Sequence, residues 1–127
     1  MKRWLHAWLP ALAWAAVIFA LSSVPGDDLP EVSAPNADKL VHALVYVALG
    51  LLCMRGVRAT FSLAPARAIL AATLLATLYG VTDEIHQAFT PLRSPDWRDG
   101  IADAAGGFVG ALVMAKLAAR RARATST

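Results

Sequence analysis

The sequence predicts an all-α protein, a four-helix bundle that crosses a membrane four times with both termini in the cytoplasm. Three observations carry that expectation. Apolar residues make up 57% of the 127-residue chain and charged residues only 17%, against roughly 45–50% and about 25% in ordinary soluble domains. The apolar residues fall in blocks instead of amphipathic stripes, at a mean hydropathy of +0.52. The charges gather between the blocks and separate by sign. A chain of this length has room for one domain, and a soluble domain so small has too little interior to hide that much apolar surface. Lipid accepts it.

A bilayer core takes about 20 apolar residues as helix, because each backbone polar group must be paired within its own segment. Spans are expected at about 5–24, 39–55, 66–86 and 100–119, within a single domain covering 1–127. The first carries no aspartate, glutamate, lysine or arginine after Arg3. The second is short, with Asp38 and Lys39 at one end and Arg55 at the other, where snorkelling or local thinning accommodates them. The third runs into a polar end at Asp83–Gln87, and the fourth starts near Gly100. Pro25, Gly26, Pro30 and Pro35 break the first connection, Gly56 and Pro65 the second, Pro91 and Pro95 the third.

Loop charges set the expected orientation. Lys2 and Arg3 precede the first span, Arg55, Arg58 and Arg67 bracket the second connection, and Lys116, Arg120, Arg121 and Arg123 close the chain. These nine of twelve bases fall on one side, expected to be the cytoplasm, and all nine acids fall on the other, Glu31 among them. Lys2-Arg3, an apolar stretch and Ala20-Leu21-Ser22 also resemble a cleavable signal peptide. The stretch is long for that role, and Trp4, Trp8 and Trp14 suit a retained anchor. The net charge of +3 reflects bases at block ends, with no zinc or helix-turn-helix spacing, so nucleic acid is not an expected partner. Cys53, the single cysteine, rules out an intrachain disulfide and reads as a small packing residue.

The polar residues near the span ends are arranged on faces. At about 100° per residue, Asp38, His42 and Tyr46 stack on one face of span two, with Lys39 beside them. Tyr79, Asp83 and His86 share a face of span three, Gln87 lies beside it, and Glu84 points away from it in a regular helix. Asp99 and Asp103 sit above Gly106 and Gly110 on span four, and that glycine pair is a close-packing signature of membrane helices. Ionisable residues in spans are functional candidates, though less forcefully at the ends than at the centre. Plainer readings stand beside the chemical ones. Asp38 and Lys39 serve equally as interfacial anchors, His42 as an interior histidine tying two spans together, Asp83 and Glu84 as solvated acids, and both tyrosines as interfacial packing.

Two histidines and several carboxylates suit either Zn²⁺ or an acid–base pair, and neither is specified by a recognisable motif. No resident cofactor or metal is expected. Arg93, in the rigid stretch from Thr90 to Asp99, suits a phosphate or carboxylate, or else an internal salt bridge to Glu84 or Asp99.

In order, these residues resemble the VanZ-like family of bacterial membrane proteins. The resemblance begins at Ser22-Ser23 and continues through Asp38-Lys39-x-x-His42-x-x-x-Tyr46. It is most specific at Tyr79-Gly80-x-x-Asp83-Glu84-x-His86-Gln87-x-Phe89-x-Pro91-x-Arg93, followed by Asp99 and Gly106. Asp103 stands where the family is expected to have asparagine. The resemblance implies a protein of the bacterial cytoplasmic membrane acting at the cell envelope. The family is named for an accessory protein associated with reduced teicoplanin sensitivity. It also implies a functional core of Asp38, Lys39, His42, Glu84, His86, Gln87, Arg93 and Asp99.

Three functions are compatible with this reading. The first is an accessory protein whose outward-facing pocket binds an anionic lipid, a lipid-linked wall precursor or a glycopeptide, held by Arg93, Lys39 and protonated His86. Asp38, His42, Asp83, Gln87, Asp99 and Asp103 would complete that pocket. The second is a membrane enzyme acting on such a lipid with Glu84 and His86 as the acid–base pair. The third is a small transporter or structural subunit, disfavoured as an ion path because no charge lies near the middle of a span.

Overall fold

The computed structural model describes residues 2–29 and 34–126, without the side chains of Lys2 and Arg3. Pro30 and Glu31, read above as a helix breaker and an outer acid, lie outside the described residues. Four helices run in order: α1, Lys2–Ser22; α2, Ala37–Thr60; α3, Pro65–Gln87; and α4, Trp97–Ala124. A short 3₁₀ turn, Gly26–Asp28, lies in the first connection. At about 1.5 Å per residue each helix is at least about 30 Å long, enough for a bilayer core. All four are apolar enough to cross a membrane, and the described residues form no strands.

Two expectations about boundaries are corrected. The second helix is not short: it begins at Ala37 and continues to Thr60, through Arg55 and Gly56. Gly56 does not break it. The residue is buried, and a methyl placed there would stand 2.6 Å from the Trp8 ring. Its missing side chain lets α1 dock on α2. The fourth helix begins earlier than Gly100 and ends later than Ala119. Asp96 accepts a hydrogen bond from the Arg98 backbone N–H and so caps the first turn, while Arg120, Arg121 and Arg123 lie within the last turns.

Small residues decide how the helices meet. Ala68, Ala72 and Ala76 are buried in a stripe at i,i+4 spacing along α3, and Gly80 continues it. Gly50 of α2 lies against the Gly107 backbone of α4, while Gly106 and Gly110 of α4 lie against the carbonyls of Ala43 and Val47. No side chain fits at these crossings, so α2 and α4 run backbone to backbone. Tyr46, Leu49, Cys53, Met54 and Val57 bring the larger side chains of the core from α2, and Cys53 is a buried free thiol.

The first helix buries Ala7, Ala11 and Ile18 and is tied by polar contacts as well. Trp8 Nε1 donates to Thr60 Oγ1 at 2.8 Å, Trp14 Nε1 to the Val45 carbonyl at 2.9 Å, and Tyr79 Oη to the Ala15 carbonyl at 2.5 Å. Pro10 lies within α1 and has no N–H for the His6 carbonyl. Arg55 Nη2 donates to that carbonyl instead, at 3.3 Å. Large apolar residues such as Leu9, Leu12, Leu40, Leu44, Leu70, Leu74 and Leu78 point outward and are exposed. In water that surface would be a liability, and in lipid it is solvated. The chain is a multi-pass membrane protein.

Candidate functional site

The antiparallel order brings together the C-terminal ends of α1 and α3, the N-terminal ends of α2 and α4, and the two loops between them. All the described acids lie at this end of the bundle. The loops clasp one another. Gly26 N donates to the Pro91 carbonyl at 3.1 Å, and Thr90 Oγ1 donates to the Ser22 carbonyl at 3.1 Å. A side chain on Gly26 would overlap the Leu92 carbonyl. Leu92 itself adopts φ 57°, a left-handed conformation that costs a non-glycine residue roughly 1 kcal/mol or more. The clasp holds that turn and sets the position of Arg93.

Six of the candidate residues form one network. Lys39 Nζ contacts Asp38, Asp96 Oδ2 at 3.0 Å and Asp99 Oδ1 at 3.0 Å. One step along α2, the His42 ring lies between the two carboxylates of α4. Its Nδ1 is 3.0 Å from Asp103 Oδ1, and its Nε2 is 3.8 Å from Asp99 Oδ2. The i,i+4 spacing of Asp99 and Asp103 makes this grip possible, because both point at α2 from one face of α4. Glu84 enters from α3 and accepts a hydrogen bond from the Asp96 backbone N–H at 3.2 Å. One donor atom each from His42, Glu84 and Asp103 lie within 4.8 Å of one another.

A cavity of about 440 Å³ adjoins the network, between α1, α2, α3 and the loops. Ile18, Leu21, Leu29, Val41 and Val45 form an apolar wall. Asp38, His42 and Tyr46 line it from α2, Asp83 and Gln87 from α3, and Arg93 from the loop. Gln87 Nε2 donates to Asp83 Oδ2 at 3.2 Å, which fixes both side chains. Arg93 makes no ion pair with any described acid, Glu84 and Asp99 included, and its Nε is buried without a hydrogen-bond partner among the described residues. The internal salt bridge expected as an alternative is therefore not formed with either acid.

His86 stands apart. Its ring stacks on Phe19 with centroids 4.4 Å apart, and its Nε2 lies 2.9 Å from Ser23 Oγ. It faces α1 while Glu84 faces α2 and α4, so the structure does not bring the expected acid–base pair together. The phase difference read from the sequence persists because α3 stays helical through Gln87.

A family model for VanZ/LLP1 matches residues 7–118. The chain belongs to the VanZ/LLP1 family. The match takes in every residue of the network and the cavity of this VanZ/LLP1 protein. Comparison with curated proteins and with solved structures returns no match.

One participant, Asp96, was not singled out by sequence reasoning. It both caps α4 and pairs with Lys39; an aspartate, a favoured capping type, shortly before the expected helix start near Gly100 was the available signal. Tyr46 is 1% exposed and lines the cavity, where interfacial packing was the plainer expectation.

Proposed function

We propose that this membrane protein binds an anionic lipid or lipid-linked precursor of the bacterial cell envelope, with Arg93 on the anionic group and the apolar wall against the hydrocarbon. The observation that carries this reading is the pairing of the two in one cavity: an arginine without an acid partner among the described residues, above a wall of aliphatic side chains. Guanidinium offers planar, forked donors that suit phosphate and carboxylate. The volume lies within the range of small-ligand sites, roughly 300–1,000 Å³. Lys39 is already engaged by three carboxylates, so its role is to hold the network and not the ligand. Placement of nine of the twelve bases at the opposite end supports cytoplasmic termini and a cavity facing the outer leaflet.

Native mass spectrometry of the solubilised protein with phosphatidylglycerol and with phosphatidylcholine of equal chain length tests it. Wild type is expected to retain the anionic lipid preferentially, and Arg93→Ala to lose that preference by about tenfold. Equal retention of the two lipids, or an unchanged preference in Arg93→Ala, overturns the reading. Teicoplanin tolerance of cells with and without the protein is the matching phenotype.

A second reading, an enzyme acting on such a lipid, is favoured by a different observation. His42 lies on the cavity wall with Nδ1 held by Asp103 at 3.0 Å and Nε2 3.8 Å from Asp99, beyond hydrogen-bonding distance, an arrangement that orients the imidazole for general-base work through Nε2. Envelope lipid profiles from cells carrying wild type, His42→Gln, Asp103→Asn or no copy distinguish it: a species altered only by wild type indicates catalysis.

A further inference from the structure

The cluster formed by His42, Glu84 and Asp103 has the composition of a metal site. We infer that these three side chains bind one first-row divalent cation, Zn²⁺ or Mn²⁺, at the polar end of the bundle. The inference is independent of what fills the adjoining cavity.

The donors come from three different helices, one imidazole and two carboxylates, and their ligating atoms lie within 4.8 Å of one another. Zn–N and Zn–O distances are about 2.0–2.2 Å, so two ligands of one ion stand at most about 4.4 Å apart. Closing the cluster around an ion requires movements of a few tenths of an ångström to about 1 Å, within the reach of side-chain torsions. A mixed nitrogen and oxygen set suits Zn²⁺ or Mn²⁺ better than Ca²⁺ or Mg²⁺, which prefer oxygen alone.

Unpartnered polar atoms belong to two of the same residues. Asp103 is completely buried, and its Oδ2 has no hydrogen-bond partner among the described residues. Glu84 Oε1 is likewise buried without one. The hydroxyl of Tyr46, which is not a ligand candidate, is a third such atom. Asp103 Oδ2 and the Tyr46 ring both pack against Gly80, at 2.9 Å and 3.3 Å from where a Cβ would stand. Buried polar atoms in folded proteins almost always find a partner.

Charge balance adds a further reason. Lys39 is the one lysine or arginine paired with the described carboxylates of this end, and it contacts Asp38, Asp96 and Asp99 but neither Glu84 nor Asp103. A fully buried carboxylate without a cation is costly, and a divalent ion would compensate both acids of the cluster, Glu84 and Asp103. Three protein ligands also leave an open coordination position. His42 belongs to the cavity wall as well as to the cluster, so an ion there would adjoin whatever the cavity holds.

The test is isothermal titration of the tag-free, detergent-solubilised protein, stripped with chelator, against Zn²⁺ and Mn²⁺ separately. Elemental analysis counts the ions retained after desalting. Wild type is expected to take up one ion of at least one of the two metals per chain. Asp103→Asn, Glu84→Gln and His42→Ala should each weaken that binding at least tenfold, whereas Asp28→Asn, an exposed acid outside the cluster, should not. The ion should raise the unfolding midpoint of wild type but not of Asp103→Asn, a near-isosteric change that keeps the protein interpretable if His42→Ala fails to fold. No retained ion in wild type, or undiminished binding in Asp103→Asn and Glu84→Gln, overturns the inference.

Discussion

The backbone contact between α2 and α4 predicts opposite outcomes for two glycine-to-alanine changes on one helix. In Gly110→Ala the new methyl would overlap the Val47 carbonyl oxygen and lie 2.7 Å from Leu51 N and 2.9 Å from Val47 C. Every one of these neighbours is backbone, so no rotamer change relieves the clash. The helices must part by about 1.5 Å to restore ordinary contacts near 3.5 Å. Overpacking of a tight interior costs about 1–3 kcal/mol, and a backbone neighbour places this case near the upper end. The better helix propensity of alanine offsets up to about 1 kcal/mol, leaving a net loss of about 2 kcal/mol. In Gly100→Ala nothing lies within 4 Å of the new methyl, so only the propensity gain of about 0.5–1 kcal/mol remains. The two variants should therefore differ by about 3 kcal/mol, on the order of 10²-fold in the unfolding equilibrium. Reversible unfolding in mixed detergent micelles, followed by tryptophan fluorescence, measures the difference. If Gly110→Ala proves as stable as Gly100→Ala, the helices do not meet as described. The 3.0 Å contact between His42 and Asp103, which spans the same helix pair, would then lose its support.

Other expectations follow from single contacts. Trp14→Phe and Tyr79→Phe each remove one hydrogen bond that ties α1 to its neighbours, and each should cost about 1 kcal/mol in the same unfolding assay. Lys39→Met should lower the unfolding midpoint more than Lys39→Arg, because only methionine leaves the largely buried Asp99 without its cation. The Asp96 carboxyl is held below its usual range, first by the Arg98 backbone N–H and then by Lys39. A lowered value means that its stabilisation is complete above the ordinary 3.8 and is lost as pH falls through the lowered value. Asp96→Asn should accordingly flatten the dependence of unfolding on pH below about 4, measured as midpoints across that acid range.

Much of the candidate site was legible one helix at a time. The shared face of Asp38, His42 and Tyr46 appears in the structure as one cavity wall, and that of Asp99 and Asp103 as the two carboxylates that grip His42. Periodicity gives each side chain a direction about its own helix. It does not give the rotation of that helix against its neighbours. Glu84 illustrates the gap: its divergence from His86 was readable, but the partners it diverges toward were not. Gly56 shows the same limit from the other side, since a glycine in an apolar run reads alike as a helix end or as a seat for a neighbouring ring.

Sequence alone determined the four apolar helices, their alternating direction and the gathering of the acids at one end. Those properties follow from composition, helix length and loop charge, and each is local or additive along the chain. Tertiary structure decided that Glu84 joins His42 and Asp103, that His86 turns to Phe19, and that Arg93 lines a cavity without pairing to Glu84 or Asp99. The physical reason is that helix rotation and depth are set by where glycine and alanine let backbones touch. At Gly50, Gly80, Gly106 and Gly110 the neighbouring helix fills the place of a side chain. Which helix fills it is a property of the packed bundle.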